Sequence, residues 1–185
     1  LHNSSKILKA FQQQQLSSTD FIEVNGYGAY DAGRDKLEAI YAQIFGAEPE
    51  LMGQAAAILQ DYGAKWIDIN MGCPVPKVAT RAGAGAYLMK NHKLAGKIIE
   101  SCVKSVQIPV SVKTRLGWDD AHKDWQDLVR VAAESGAKFV TLHGRTRAQG
   151  YSGKSELPIK PELPIPIIAN GDIKNIEDIE RVQNL

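Results

Sequence analysis

The sequence predicts an α/β fold in which parallel strands alternate with covering helices, and two observations carry that expectation. From residue 40 onward the chain repeats one unit, a short β-branched run followed by a stretch with apolar residues at helical spacing. That alternation is the mark of a parallel sheet wound with helices. Polar or reactive residues then crowd the carboxyl ends of the runs, at Asn70 to Cys73, Lys113 to Arg115, His143 to Arg145 and Asn170 to Asp172. In parallel (β/α) architectures this edge gathers the βα loops and the helix N-termini, and ligands bind there. Length sets the bound: 185 residues suffice for one well-packed domain but fall short of the ~250 that an eight-stranded barrel usually needs.

Taken in order, residues 1–15 have the pattern of a polar amphipathic helix, and 24–33 form a glycine-rich loop with no strand-helix repeat. Residues 1–39 are therefore a separate N-terminal segment without an assigned fold, and 40–185 a partial barrel. Five strands are expected, over 40–46, 65–70, 109–115, 138–143 and 165–170, with helices over 50–62, 93–106 and 125–133. Gly63 and Gly136 each follow a helix and precede a strand, as C-terminal caps do. Pro158, Pro161, Pro164 and Pro166 forbid a regular helix between Tyr151 and the last strand.

Composition narrows the function classes. With 44% hydrophobic residues and a net charge of +1, the whole-molecule field gives no argument for nucleic acid or membrane, so any RNA contact needs a local patch. No apolar run approaches the ~18 residues of a membrane span and the first residues do not form a secretory signal, which points to a cytoplasmic protein without membrane partners. Its two cysteines, Cys73 and Cys102, are expected to stay thiols.

Cys73 closes Asp68-Ile-Asn-Met-Gly-Cys-Pro74 on a βα turn, where a thiol is open to a ligand; the alternative is a small apolar filler. Cys102, among Ile98, Ile99 and Val106, has the surroundings of a core residue. Lys113 ends the alternating run Val110-Ser-Val-Lys, and a buried ammonium needs an anionic partner such as the edge of a reduced flavin. A lysine reaching into solvent is the other reading. His143 gains weight from sharing an edge with both. Arg145 and Arg147, with Lys77, Arg81 and Lys154, would form a basic rim for phosphates, or a merely solvated surface. Asn170-Gly-Asp172 is expected to begin a helix, where free backbone N–H groups favour an anion, and is also an ordinary turn. Gly83-Ala-Gly85 brings small residues near the cysteine loop. No metal cluster is expected.

Seven blocks in order resemble the tRNA-dihydrouridine synthases: Gln43-Ile-Phe-Gly46, Asp68 to Pro74, Gly83-Ala-Gly85, Val112-Lys-Thr-Arg-Leu-Gly117, His143-Gly-Arg-Thr-Arg147, Tyr151-Ser-Gly153 and Ile168-Ala-Asn-Gly-Asp-Ile173. The resemblance implies a (β/α)8 TIM barrel, incomplete at about five of eight strands, that binds FMN and takes reducing power from NADPH. It implies reduction of a tRNA uridine to 5,6-dihydrouridine: hydride reaches C6 of an extruded uracil and Cys73 gives a proton to C5. A thiol suits that acid role because it stays largely protonated at neutral pH when its pKa is near ~8.5. By the same resemblance Gln43, Lys113, His143, Asn170, Gly171 and Asp172 hold the cofactor, and the RNA meets Asn70, Lys77, Arg145 and Arg147.

Three departures accompany the resemblance. The family's first two strands find no counterpart in residues 1–39. The eighth strand, its phosphate clamp and the helical tRNA-binding domain do not follow Asp172, and the proline-rich interval replaces a helix. Residues 26–48 are instead similar to the start of the aluminium-resistance, cystathionine-lyase-like pyridoxal-phosphate enzymes, but the cofactor lysine of that group is absent, and no pyridoxal chemistry is assigned. Five strands leave two open parallel edges, which favour self-association. The alternatives are another FMN barrel of the dihydroorotate dehydrogenase type and an inactive fragment.

Overall fold

The computed structural model describes residues 47–76, 78–79, 83–157 and 162–183, all inside one compact unit, Ala47–Leu185. The strand expected over 40–46, with Gln43, lies outside the described residues, as do Lys77 and Arg81.

Helix α1, Pro49–Asp61, begins on a proline, whose missing N–H would have had no helical partner. It ends where Gly63, at φ 97°, donates its N–H to the Gln60 carbonyl at 2.8 Å, the cap expected from sequence. Strand β1 is Ile67–Asn70. A short 3₁₀ helix, Gly85–Lys90, leads into α2, His92–Ser105, where the Asn91 side chain accepts the Leu94 N–H at 3.0 Å. Then follow β2 at Val110–Arg115, α3 at Trp125–Glu134, β3 at Val140–His143, β4 at Ile167–Asn170 and α4 at Ile176–Gln183. No helix occupies the described residues between β3 and β4, in keeping with the prolines there.

The four strands are parallel and lie in chain order, β1-β2-β3-β4. Their register sorts side chains onto two faces, because successive residues of a strand point to opposite sides. Ile67 and Ile69 stand beside Val110 and Val112, which continue through Val140 and Leu142 to Ile167 and Ala169. This apolar face meets α2 and α3, and Ile69, Val110, Val112, Val140, Leu142, Ile98, Ile99, Leu128 and Val129 are fully buried in the resulting core. Each such side chain contributes roughly 1.5–3 kcal/mol on burial.

The other face carries polar rows. Asp68 stands beside Ser111, whose hydroxyl donates to its carboxylate at 2.5 Å. Asn70 aligns with Lys113 and Thr141, and Arg115 aligns with His143 and Asn170. A parallel sheet covered by helices on both sides would be apolar on both. Layers of inward side chains are what a barrel interior presents. Among the described residues no helix is long and apolar enough to cross a membrane.

Candidate active site at the carboxyl edge of the sheet

At the end of β1 the Asn70 side-chain oxygen accepts the N–H groups of both Gly72 and Cys73, each at 3.0 Å. An asparagine that bonds the backbone two and three residues on turns the chain sharply off its strand. The Asn70 amide NH2 lies outside these two bonds and keeps its donors. The Cys73 carbonyl accepts from Ala86 N at 3.1 Å. Gly85, at φ 55°, passes so near that a Cβ there would stand 3.1 Å from the Cys73 Cβ, placing the expected small residues against the cysteine loop. This packing leaves Cys73 8% exposed, more sheltered than a thiol on an open turn.

One buried residue that the sequence reading left without a role ties this edge together. Arg115, 3% exposed, donates from Nε to the Gly72 carbonyl at 2.7 Å and from Nη1 to the Thr146 and Gly150 carbonyls at 3.2 and 2.7 Å. Its guanidinium also lies 5.5 Å from the Tyr151 ring centroid. The signal was present in the alternation: positions 111, 113 and 115 share a face, so Arg115 had to accompany Lys113.

Lys113 is half-buried, in register with Asn70 on one side and Thr141 on the other. One row further on, His143 is 6% exposed, and its pKa is lowered to about 4, first by burial and then by the charges of Arg115, Lys113 and Arg145, with Asp172 opposing. The imidazole is neutral at physiological pH. Its Nδ1 is buried and meets no hydrogen-bond partner among the described residues.

Arg145, expected on the basic rim, is 6% exposed. Its Nη2 donates to Asp172 Oδ2 and to the Gly153 carbonyl, both at 2.7 Å, and its Nε donates to the Ser152 carbonyl at 3.2 Å. Asp172 Oδ2 also accepts Ser155 N–H at 2.8 Å, and these bonds, that of Ser155 first, hold the carboxyl below its ordinary range. The helix after β4 starts at Ile176, later than Asn170-Gly-Asp172 suggested. Gly171 at φ 111° and Asp172 at φ 54° are both in the left-handed region, which a helix start does not accept. Arg147 lies 4.5 Å over the Trp118 ring, with the Lys90 ammonium 4.7 Å from the same centroid, so it staples two loops. Lys154 is exposed, and Cys102 is 1% exposed with its thiol pushed up to about 11 by burial.

The edge thus brings together Asn70, Cys73, Lys113, His143, Asn170, Gly171 and Asp172. A half-buried cation, an unpartnered ring nitrogen and a glycine backbone drawn against the imidazole fit a planar, electron-rich cofactor. Fold and edge together define an α/β protein of the (β/α)-barrel class with its reactive residues at the carboxyl ends of the strands.

A family model described as Dihydrouridine synthase (Dus) matches residues 14–185. The chain belongs to the dihydrouridine synthase family. It is 48% identical over 137 residues to a "Probable tRNA-dihydrouridine synthase" of Rickettsia prowazekii, a match covering 72% of this chain and 42% of that protein. It is 44% identical over 142 residues to "Probable tRNA-dihydrouridine synthase 1" of Synechocystis, covering 75% and 40%. Against "tRNA-dihydrouridine synthase B" of Xanthomonas campestris identity is 42% over 149 residues, covering 78% and 45%. The chain thus spans under half the length of these relatives. The family match enters the N-terminal segment at residue 14, upstream of the strand-helix repeat.

Proposed function

We propose that this chain carries the catalytic face of an FMN-dependent tRNA-dihydrouridine synthase, in which Cys73 is the proton donor in reduction of a tRNA uridine and NADPH is the reductant. The observation that supports this most is the shared edge: the Cys73 loop, Lys113 and His143 stand at the carboxyl ends of three adjacent strands, beside a polar sheet surface. Lys113, His143, Asn170 and Gly171 would hold FMN, which when bound supplies hydride. Gln43 belongs to the same proposed set.

Cys73 keeps its proton on Sγ in a sheltered turn and gives it to C5 of the uracil ring. Asn70 fixes that turn through its side-chain oxygen and offers its amide donors to the base. Arg115 anchors Gly72, next to the thiol, and its buried positive charge favours the thiolate that proton donation leaves. Lys113 provides a fixed cation for a cofactor edge that gains negative charge. Lys77, Arg147 and Lys154 meet the RNA backbone, offsetting the few kcal/mol that extrusion of a base costs. Arg145 also lies beside the proposed RNA path, although its guanidinium already has four oxygen and nitrogen neighbours.

The test is a titration of the purified chain with FMN, followed by an assay on unmodified tRNA with NADPH. A bound-flavin spectrum and dihydrouridine formation are the expected results. Cys73→Ala should preserve the spectrum and remove turnover, and wild-type turnover in that variant would overturn the acid assignment. Activity on dihydroorotate instead of tRNA, or a chain that binds no flavin, would sink the reading.

A further inference from the structure

We infer that Arg145 fixes the tautomer of His143, donating to Nε2 so that the ring proton sits on Nδ1 as a hydrogen-bond donor for a lone-pair acceptor on the ligand of this site. Arg145 Nη1 lies 3.4 Å from His143 Nε2 with hydrogen-bonding geometry. A guanidinium has donors only, so Nε2 must present its lone pair; a proton there would set two N–H groups face to face. In a neutral imidazole the remaining proton then belongs to Nδ1.

Arg145 is not free to turn away. Its other nitrogens are held by the Asp172 carboxylate and by the carbonyls of Ser152 and Gly153. Gly171 closes the same side of the ring, since a Cβ there would stand 2.9 Å from Nε2. The charged groups around the imidazole are Lys113 and Arg115 on β2, Arg145 after β3 and Asp172 after β4, three cations against one anion, which disfavours a second ring proton. On the opposite side Nδ1 is buried and without a partner among the described residues. A buried N–H left unpaired costs about 1–3 kcal/mol, so the arrangement is suited to a ligand that accepts there. Free histidine favours the proton on Nε2, so the protein holds the minority form. Arg145 is therefore a positioning residue acting through His143. Only the identity of the acceptor rests on the flavin reading.

Two-bond ¹H–¹⁵N correlation spectra of histidine-labelled full chain decide the matter, because the pattern of ring couplings reports which nitrogen is protonated. The ligand-free protein should show His143 as the Nδ1–H tautomer, and Arg145→Met should move it to Nε2–H while raising its pKa. An Nε2–H ring in the wild type, or an unchanged tautomer in folded Arg145→Met, overturns the inference. If that variant does not fold, the wild-type spectrum decides alone. Addition of FMN should shift the Nδ1–H proton. Binding that leaves it unmoved refutes FMN as acceptor and keeps the tautomer. Absence of binding refutes the flavin reading, again apart from the tautomer, which is read in the ligand-free protein.

Discussion

The two faces of the sheet are made by the same strands, yet they differ in what each residue is for. Val112 and Leu142 lie on one face, fully buried in the core, whereas Lys113 and His143, one position along, lie on the other among charges. The first face lowers the free energy of folding by excluding water. The second keeps a half-buried cation and an imidazole nitrogen with no partner among the described residues, a group that costs stability unless a ligand meets it. Stability and function are thereby separated by a single-residue step along each strand.

Truncating the apolar face should give the largest effect. Leu142→Ala removes a fully buried side chain and leaves a cavity, and is expected to destabilise by about 2–5 kcal/mol. Urea unfolding measures this, and a loss under about 1 kcal/mol would mean the core is looser than the burial implies. Acid should attack the polar face next. His143 takes a proton near pH 6.5 in the unfolded chain and only near about 4 when folded. The unfolded state therefore binds more protons between these values, and stability falls as pH drops through that window. The share belonging to His143 is roughly 3 kcal/mol, seen as the difference between the pH profiles of the wild type and His143→Asn. Parallel profiles would contradict the burial of the ring.

Much of the architecture was legible in the sequence because parallel strands and their helices leave periodic signals: the four described strands fall inside the expected intervals, and Gly63 and Gly136 cap their helices at φ 97° and 93°. Strand ends also marked Lys113, His143 and Cys73 as sharing the carboxyl edge, and the register and the turn after β1 place them there. The partners were not legible. Arg145 reads as a surface cation, yet the chain folds it onto the Ser152 and Gly153 carbonyls, 7 and 8 residues on, and onto Asp172, 27 residues on, a closure that no local pattern encodes. The role of Arg115 depends on carbonyls 31 to 43 residues away in the chain. The sheltering of Cys73 likewise depends on Gly85, whose left-handed backbone is visible only once the chain has turned.

The smallest effect on stability should come from Lys113→Met, which sharpens the comparison most. Methionine keeps much of the lysine stem while removing the ammonium, so the packed atoms stay and the charge goes. Removing one of three cations near His143 also raises that ring's pKa, since Lys113 is among the charges holding it down. The folded state should change by under about 1 kcal/mol, because loss of the ammonium's own interactions is offset by relief of repulsion from Arg115 and Arg145. Affinity for FMN, in contrast, should drop by about tenfold or more if the ammonium meets a cofactor edge that carries charge, a loss of about 1.4 kcal/mol. Equal affinity would assign Lys113 to the scaffold. A large stability loss would show that the two faces are not energetically distinct, because the charged row would then be holding the sheet together as the apolar one does.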